Sequence, residues 1–311
     1  MNTATHSYIA IDVSKDSLQV QTDDANFCVR YNQSGLNKIA KIAQKQKNAL
    51  IVFEATGGYE VMLKDYFQQL QILTHLASAS KVRYFASSEG VRAKTDRIDA
   101  KMLYLYAIEK KLEPQKPNHP AQRELALRMD RRDQLVEERK RERSRLDPLP
   151  SSSLIVKSIK RNLRHLDKEI QQIEAEIEKW INQNQELKNL SGELLKIKGV
   201  GIWTSCSILA YLGEIAWLKR GQLSALVGLA PYNKDSGKHS GKRRIIGGRG
   251  KIRKVLFMAA KAASHSNPVI KEYMKRLKLN GKPWKVALTA AMRKLLLHIQ
   301  SVVKRYESSI A

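Results

Sequence analysis

Four carboxylates stand where a carboxylate is either costly or paired in space. Asp12 interrupts the apolar run of Ile9, Ile11 and Val13. An ionised group in that company must reach a polar edge or hold a cation to offset its desolvation. Glu54 closes ALIVFEAT, the most hydrophobic stretch of the chain, just ahead of Gly57 and Gly58. Asp96 and Asp99 lie in TDRIDAKMLYLYAIEKKL, which reads as a single helix with Thr95 as its N-cap. Three residues apart, they share a helix face and sit in the first turn, where the helix dipole favours negative charge. Oxygen ligands gathered from such positions suit Mg²⁺, which keeps some waters and accepts phosphate oxygens. Two such ions can serve the attacking and leaving oxygens of a phosphodiester.

A second chemistry is concentrated far along the chain. Residues 234–254, KDSGKHSGKRRIIGGRGKIRK, set nine basic residues against one acid, with glycines that let a backbone approach a duplex. Lys238, Lys242, Arg243, Arg244, Arg249, Lys251, Arg253 and Lys254 are therefore candidates for phosphate contact. Ser236 before Gly237 and Ser240 before Gly241 are equally placed, by local sequence, to offer a hydroxyl to a phosphate. Upstream, LLKIKGVGIWTSCSILAYLG resembles a helix-hairpin-helix, in which Lys198, Gly199 and Gly201 would meet a phosphate at a helix N-terminus. The same pattern also fits a purely structural turn between helices. Trp203 is a bulky neighbour to those glycines.

The elements that must position these groups follow from hydrophobic periodicity. Tyr8 to Val13, Ser17 to Thr22 and Phe27 to Asn32 read as an antiparallel meander. A helix (35–47), the strand Ala49 to Thr56, another helix, the strand LTHLAS and more helix follow. Three strands and then alternating helix and strand is the order of an RNase H-like domain, a mixed α/β sheet, in which the strands of Asp12 and Glu54 can pair. Beyond the EPQKPNHP linker, residues 121–146 form a charged helix, stopped by DPLPSSS. A second long helix runs from Leu154 toward Leu187. Its Ile159, Leu163, Leu166, Ile170, Ile173, Ile177 and Trp180 recur at spacings of four and three, a coiled-coil seam. The pair reads as a helical hairpin whose seam packs on its own partner helix or on a second copy. From residue 191 the texture turns to glycines, small residues and helices, a mainly helical C-terminal domain. The expected division is 1–115, 116–190 and 191–311.

Charge separates the two chemistries. The 311 residues carry 56 Lys and Arg against 30 Asp and Glu, a net charge of +26 that suits a polyanionic partner. Residues 1–100 net only +2 and the remainder +24, so carboxylates occupy a near-neutral part while the grip on phosphates comes from the rest. Cys28 and Cys206 are far apart and suggest neither a disulfide framework nor a cysteine zinc site. No apolar leader opens the chain and no uninterrupted run of 18 apolar residues occurs, so an intracellular protein without a membrane span is expected.

Six ordered motifs together resemble one family. They are IAIDVSKDSL, VFEATGGY, AKTDRIDAKML, IKGVGIWTSCSILAYLG, GLAPYNKDSG and GKPWKVALTAAMRKLL. The chain is identified by them as similar to insertion-sequence transposases with a RuvC-like DEDD domain, relatives of the Piv-type invertases and known as bridge-RNA-guided recombinases. The resemblance implies that Asp12, Glu54, Asp96 and Asp99 bind Mg²⁺. It also implies that Ser236, the serine of a GLxP(x)4SG pattern, is the nucleophile of a covalent phosphoserine link to DNA; Ser240 falls outside that pattern. It further implies donor and target DNA, a noncoding bridge RNA and a homo-oligomer, dimer or tetramer, in which acidic site and serine come from different subunits. Two rivals remain at this level: a RuvC-like nuclease that hydrolyses DNA with water, and a nucleic-acid-binding protein without catalysis.

Overall fold

A computed structural model describes residues 6–54, 57–91, 95–115, 120–146, 154–233, 241 and 243–310. The chain divides into two compact units, Met1–Pro117 and Asn118–Ala311.

The first unit is built on a five-stranded mixed sheet. Its strands are β1 (Ser7–Val13), β2 (Ser17–Gln21), β3 (Asn26–Arg30), β4 (Ala49–Glu54) and β5 (Leu73–Ala77), in the order β3-β2-β1-β4-β5. The first three are antiparallel; β4 and β5 run parallel to β1. Parallel pairing needs crossovers, and α1 (Gln33–Lys45) and α2 (Tyr59–Gln69) supply them. Alternation along the strands creates two cores. Ile9, Ile11, Val13, Ile51 and Phe53 face α1 and α2, packing on Leu36, Ile39, Leu63 and Phe67. Ala10, Leu50 and Val52 point the other way, toward α3 (Ala79–Ser88) and α4 (Asp96–Glu109), where Val82, Phe85, Leu103 and Tyr106 cover them. This is the RNase H-like arrangement of strands and helices expected from the sequence, followed by a helical region.

The second unit is helical. α5 (Pro120–Ser144) and α6 (Leu154–Gln183) pack along one another. The seam of α6 is buried against α5: Leu166 and Ile170, with Ile173 beside them, meet Leu135 and Val136. This part of its apolar stripe is thus occupied within the chain. The helix also ends earlier than its periodicity suggests. Asn184 is extended and its side-chain amide donates to the Trp180 carbonyl at 2.6 Å, closing α6 before α7 (Gln185–Leu195) begins. The base of the hairpin, Ala121, Leu125, Met129, Ile177 and Ile181, shares one core with α7, α8 (Ile202–Tyr211), α9 (Arg220–Val227), α10 (Gly250–Ser266), α11 (Pro268–Leu279) and α12 (Trp284–Ile310). α12 is long and apolar enough to cross a membrane by length and composition alone. It carries Lys285, Arg293, Lys294 and Lys304, and its apolar side is the spine of this core, with Leu288, Leu295, Leu296 and Ile299 at or near zero exposure.

Candidate active site

The acidic site grows from the strand alternation. β1 and β4 pair in parallel, and the last partners are Ile11 and Phe53. Asp12 and Glu54 are the next residue on each strand, so they leave the sheet side by side at its C-terminal edge. Both follow Ala10 and Val52 by two, which places them on the face covered by α3 and α4. Asp99 and Asp96 arrive from above, because Thr95 caps α4 through its hydroxyl, which accepts from the Ile98 amide at 3.3 Å, and starts the helix at Asp96. All four carboxylates line one cavity of about 770 Å³, together with Ser14, Arg83 and Ser87. Asp12, Glu54 and Asp99 are half-buried and Asp96 is exposed.

The donor set fits a hard cation. Among the described residues that line the cavity there are four carboxylates and neither cysteine nor histidine, the ligand chemistry of Mg²⁺ rather than of zinc. Among the described residues no three acidic, histidine or cysteine side chains close into a compact metal cluster. The carboxylates share a chamber with room for water and a phosphate, which an octahedral cation that keeps several waters requires.

The second unit positions the glycine turn and the basic loop. α7 and α8 are joined through Lys196 to Gly201, with Gly199 at φ +99°. A Cβ on Gly199 would lie 2.7 Å from the Ala263 Cα, so this glycine lets the turn pack on α10; one on Gly201 would meet nothing. Lys198 is exposed. Trp203 lies under the Arg132 guanidinium, 4.0 Å from its ring centre, and Arg132 pairs with Glu174 at 2.7 Å. This bulky residue therefore ties α8 to both arms of the hairpin.

The basic loop hangs on two short strands, β6 (Pro231–Tyr232) and β7 (Arg244–Ile245), paired Pro231 to Ile245 and Tyr232 to Arg244. Ser236, Ser240, Lys238 and Lys242 lie outside the described residues. Arg243 and Arg244 are exposed at the base of the loop. The remaining cations expected to grip phosphate have partners within the unit. Arg249 pairs with Glu214 and donates to the Tyr211 carbonyl at 2.6 Å. Arg253 donates to the carbonyls of Gly247 and Val227. Lys251 pairs with Asp130 and Lys254 with Glu137, both acids of α5, yet these lysines stay exposed. The charged residues near them in the sequence are nearly all basic; the balancing acids come from α5 and from the turn after α8.

Burial also settles what the remaining ionisable groups are. Cys206 is buried and its thiol is pushed up to about 12, chiefly by desolvation, so it is a packing residue and not a thiolate. Burial, and then its bond to Asp130, push the Tyr211 hydroxyl above its ordinary value. Asp133 is raised by burial against the opposing pull of Arg132, Lys251 and Lys254.

Two family models cover most of the chain. One, described as a DEDD transposase of the IS110 type, matches residues 9–149, and the other, the transposase IS116/IS110/IS902 family, matches residues 191–275. The chain belongs to this transposase family. The IS110-type transposase is similar along nearly its whole length to the pilin gene-inverting proteins of Moraxella bovis and Moraxella lacunata. Each is 27% identical over 312 aligned residues, covering 96% of both chains. The match to the first model spans the strands and helix that carry Asp12, Glu54, Asp96 and Asp99. The transposase is thus an enzyme of DNA recombination, with DNA as its substrate.

Proposed function

We propose that this transposase cuts and rejoins DNA through a covalent phosphoserine link at Ser236, assisted by Mg²⁺ at Asp12, Glu54, Asp96 and Asp99 and guided by a bridge RNA. The observation that carries the acidic half is the shared cavity, to which β1, β4 and α4 each bring carboxylates. Mg²⁺ bound there would offset charge developing on a scissile phosphate. The half-burial of Asp12, Glu54 and Asp99 keeps bulk water from screening that effect. In the reaction the Ser236 Oγ bonds to phosphorus as the strand's own P–O bond breaks. The serine proton leaves to solvent and the departing strand oxygen takes one up. The phosphoester energy is kept, so a second strand end can later displace the serine without ATP.

The domain assignment that goes with this reading is a metal-binding domain at 1–115, a hairpin at 116–190 and a serine-bearing, DNA-gripping domain at 191–311. The exposure of Lys198 and Gly201 in the turn between α7 and α8, and of Arg243 and Arg244, supports the grip, in which that turn would contact phosphate as a helix-hairpin-helix. The +24 net charge of residues 101–311 supports binding of both DNA and RNA, since phosphate attraction does not distinguish them. A homo-oligomer, dimer or tetramer, would bring serine and carboxylates together.

End-labelled DNA spanning the ends of the element, incubated with full-length protein and resolved under denaturing conditions, tests the reading. Ser236→Ala should bind DNA and form no adduct; Asp12→Asn should form neither adduct nor cut strand. Adducts persisting in Ser236→Ala would reject the nucleophile and direct attention to Ser240. Free cut ends without any adduct in the unaltered protein would point to water as the nucleophile.

A further inference from the structure

One wall of the acidic cavity is not acidic. Along α3, Ala79, Val82, Arg83, Ala86 and Ser87 line the chamber, the stripe that an α-helix presents at spacings of three and four. Arg83 is the one cation among the described lining residues, in a cavity with four carboxylates, and among the described residues it makes no ion pair. Its exposed guanidinium is thus available at the cavity wall. Its neighbour Tyr84 is 77% exposed, the most exposed aromatic side chain described. Three residues before Ser87, Tyr84 flanks the lining stripe. A large ring held in water recovers apolar area when a flat partner covers it.

These facts bear on how a DNA strand enters a chamber of like charge. A phosphodiester approaching these carboxylates is repelled, and a permanent cation on the wall lessens that repulsion. Arginine is suited to this because its planar fork can give two hydrogen bonds to one phosphate. Tyrosine beside it suits a base, since stacking uses the π-face that every base possesses. In a duplex those faces are covered by neighbouring base pairs; only a locally unpaired base offers one.

We propose that α3 is the strand-holding wall of the acidic cavity, with Arg83 on a backbone phosphate and Tyr84 stacked on an adjacent unpaired base, so that the site takes DNA strands in opened form. This rests on the assignment of the carboxylates as the DNA-cutting site.

Photocrosslinking of the full-length protein tests it locally, without interference from the basic second unit. Oligonucleotides carrying 5-iododeoxyuridine, single-stranded in one arm and duplex in the other, are irradiated in complex with the protein, and adducts are mapped by mass spectrometry. Tyr84 should carry an adduct in the single-stranded arm and about tenfold less in the duplex arm. Arg83→Ala should lower the Tyr84 adduct about tenfold, the loss expected of one charge-assisted phosphate contact, and leave adducts within 191–311 unchanged. Tyr84→Phe should keep crosslinking at that position. Adducts confined to 191–311, or a Tyr84 adduct indifferent to Arg83→Ala, would overturn the proposal. Asp12→Asn separates the two readings: it should abolish cutting while keeping the Tyr84 adduct. Cutting retained in that variant would remove the carboxylate assignment and leave the crosslink result standing on its own.

Discussion

Replacing Gly248 by alanine should loosen the root of the basic loop, and the size of the effect can be worked from the backbone. Gly228, Gly247 and Gly248 all have positive φ, at +74°, +65° and +75°. They fold the end of α9 directly against the chain that leads into α10, and the Arg249 amide donates to the Leu226 carbonyl at 2.8 Å. A Cβ on Gly248 would lie 2.5 Å from the Gly228 Cα and 2.6 Å from the Val227 carbonyl carbon. Ordinary carbon contacts are about 3.5–4.0 Å, so rigid backbone must move by about 1 Å. The left-handed conformation costs a side chain ~1 kcal/mol and overpacking of this kind ~1–3 kcal/mol. Together they come to about 3 kcal/mol, a fall of roughly 6–12 °C in the melting temperature of a unit this size. Gly250→Ala is the control, since a Cβ there meets nothing within 4 Å and φ is unexceptional. Calorimetry of the full chain measures the shift, and hydrogen exchange should localise the lost protection to residues 226–233 and 244–253. A Gly248→Ala protein melting within ~2 °C of Gly250→Ala would refute the claim that this glycine contact holds the loop root.

Two further outcomes follow from buried polar groups. Burial, and secondarily Lys81, lower the His75 pKa from 6.5, against a partly opposing bond to the Glu113 carbonyl at 2.7 Å. The folded state thus takes up the proton less readily than the unfolded chain. The stabilisation is complete above about 6.5 and is lost as pH falls below it toward the folded value. Thermal melts between pH 7.5 and 5 should fall less steeply for His75→Gln; an identical slope would exclude His75 as a contributor. In the second unit, a double-mutant cycle on Arg132→Ala and Trp203→Ala, read by denaturant unfolding, should give a coupling of about 1–2 kcal/mol, because the guanidinium–ring contact is largely desolvated. A coupling near zero would show that Trp203 does not tie α8 to the hairpin.

Much of the first unit was legible from local pattern. Period-two alternation names the strands, and the two odd carboxylates, Asp12 and Glu54, end apolar runs whose faces can be counted from Ala10 and Val52. Thr95 announces its helix, and with it the position of Asp96 and Asp99. The same logic failed at Asn184, where one side-chain amide, bonded to the Trp180 carbonyl, ends a helix that hydrophobic periodicity alone would continue to Leu187. It could not reveal α3 as a cavity wall, since nothing in the order of Arg83 and Tyr84 marks which side of the helix meets the carboxylates.

The amino-acid order by itself determined the sheet's strands, the spacing of the acidic residues, the basic character of everything past the first hundred residues and the family to which the chain belongs. These are properties of short windows or of composition, set by side-chain periodicity and formal charge. Tertiary structure alone decided which partners those groups meet. It gave the α6 seam to α5, and spent Arg249 and Arg253 on Glu214 and backbone carbonyls. It set Gly199 as a packing point against Ala263. The partners lie between six and more than sixty residues apart, and contacts at such separations are chosen by the packing of whole helices, which no local window contains.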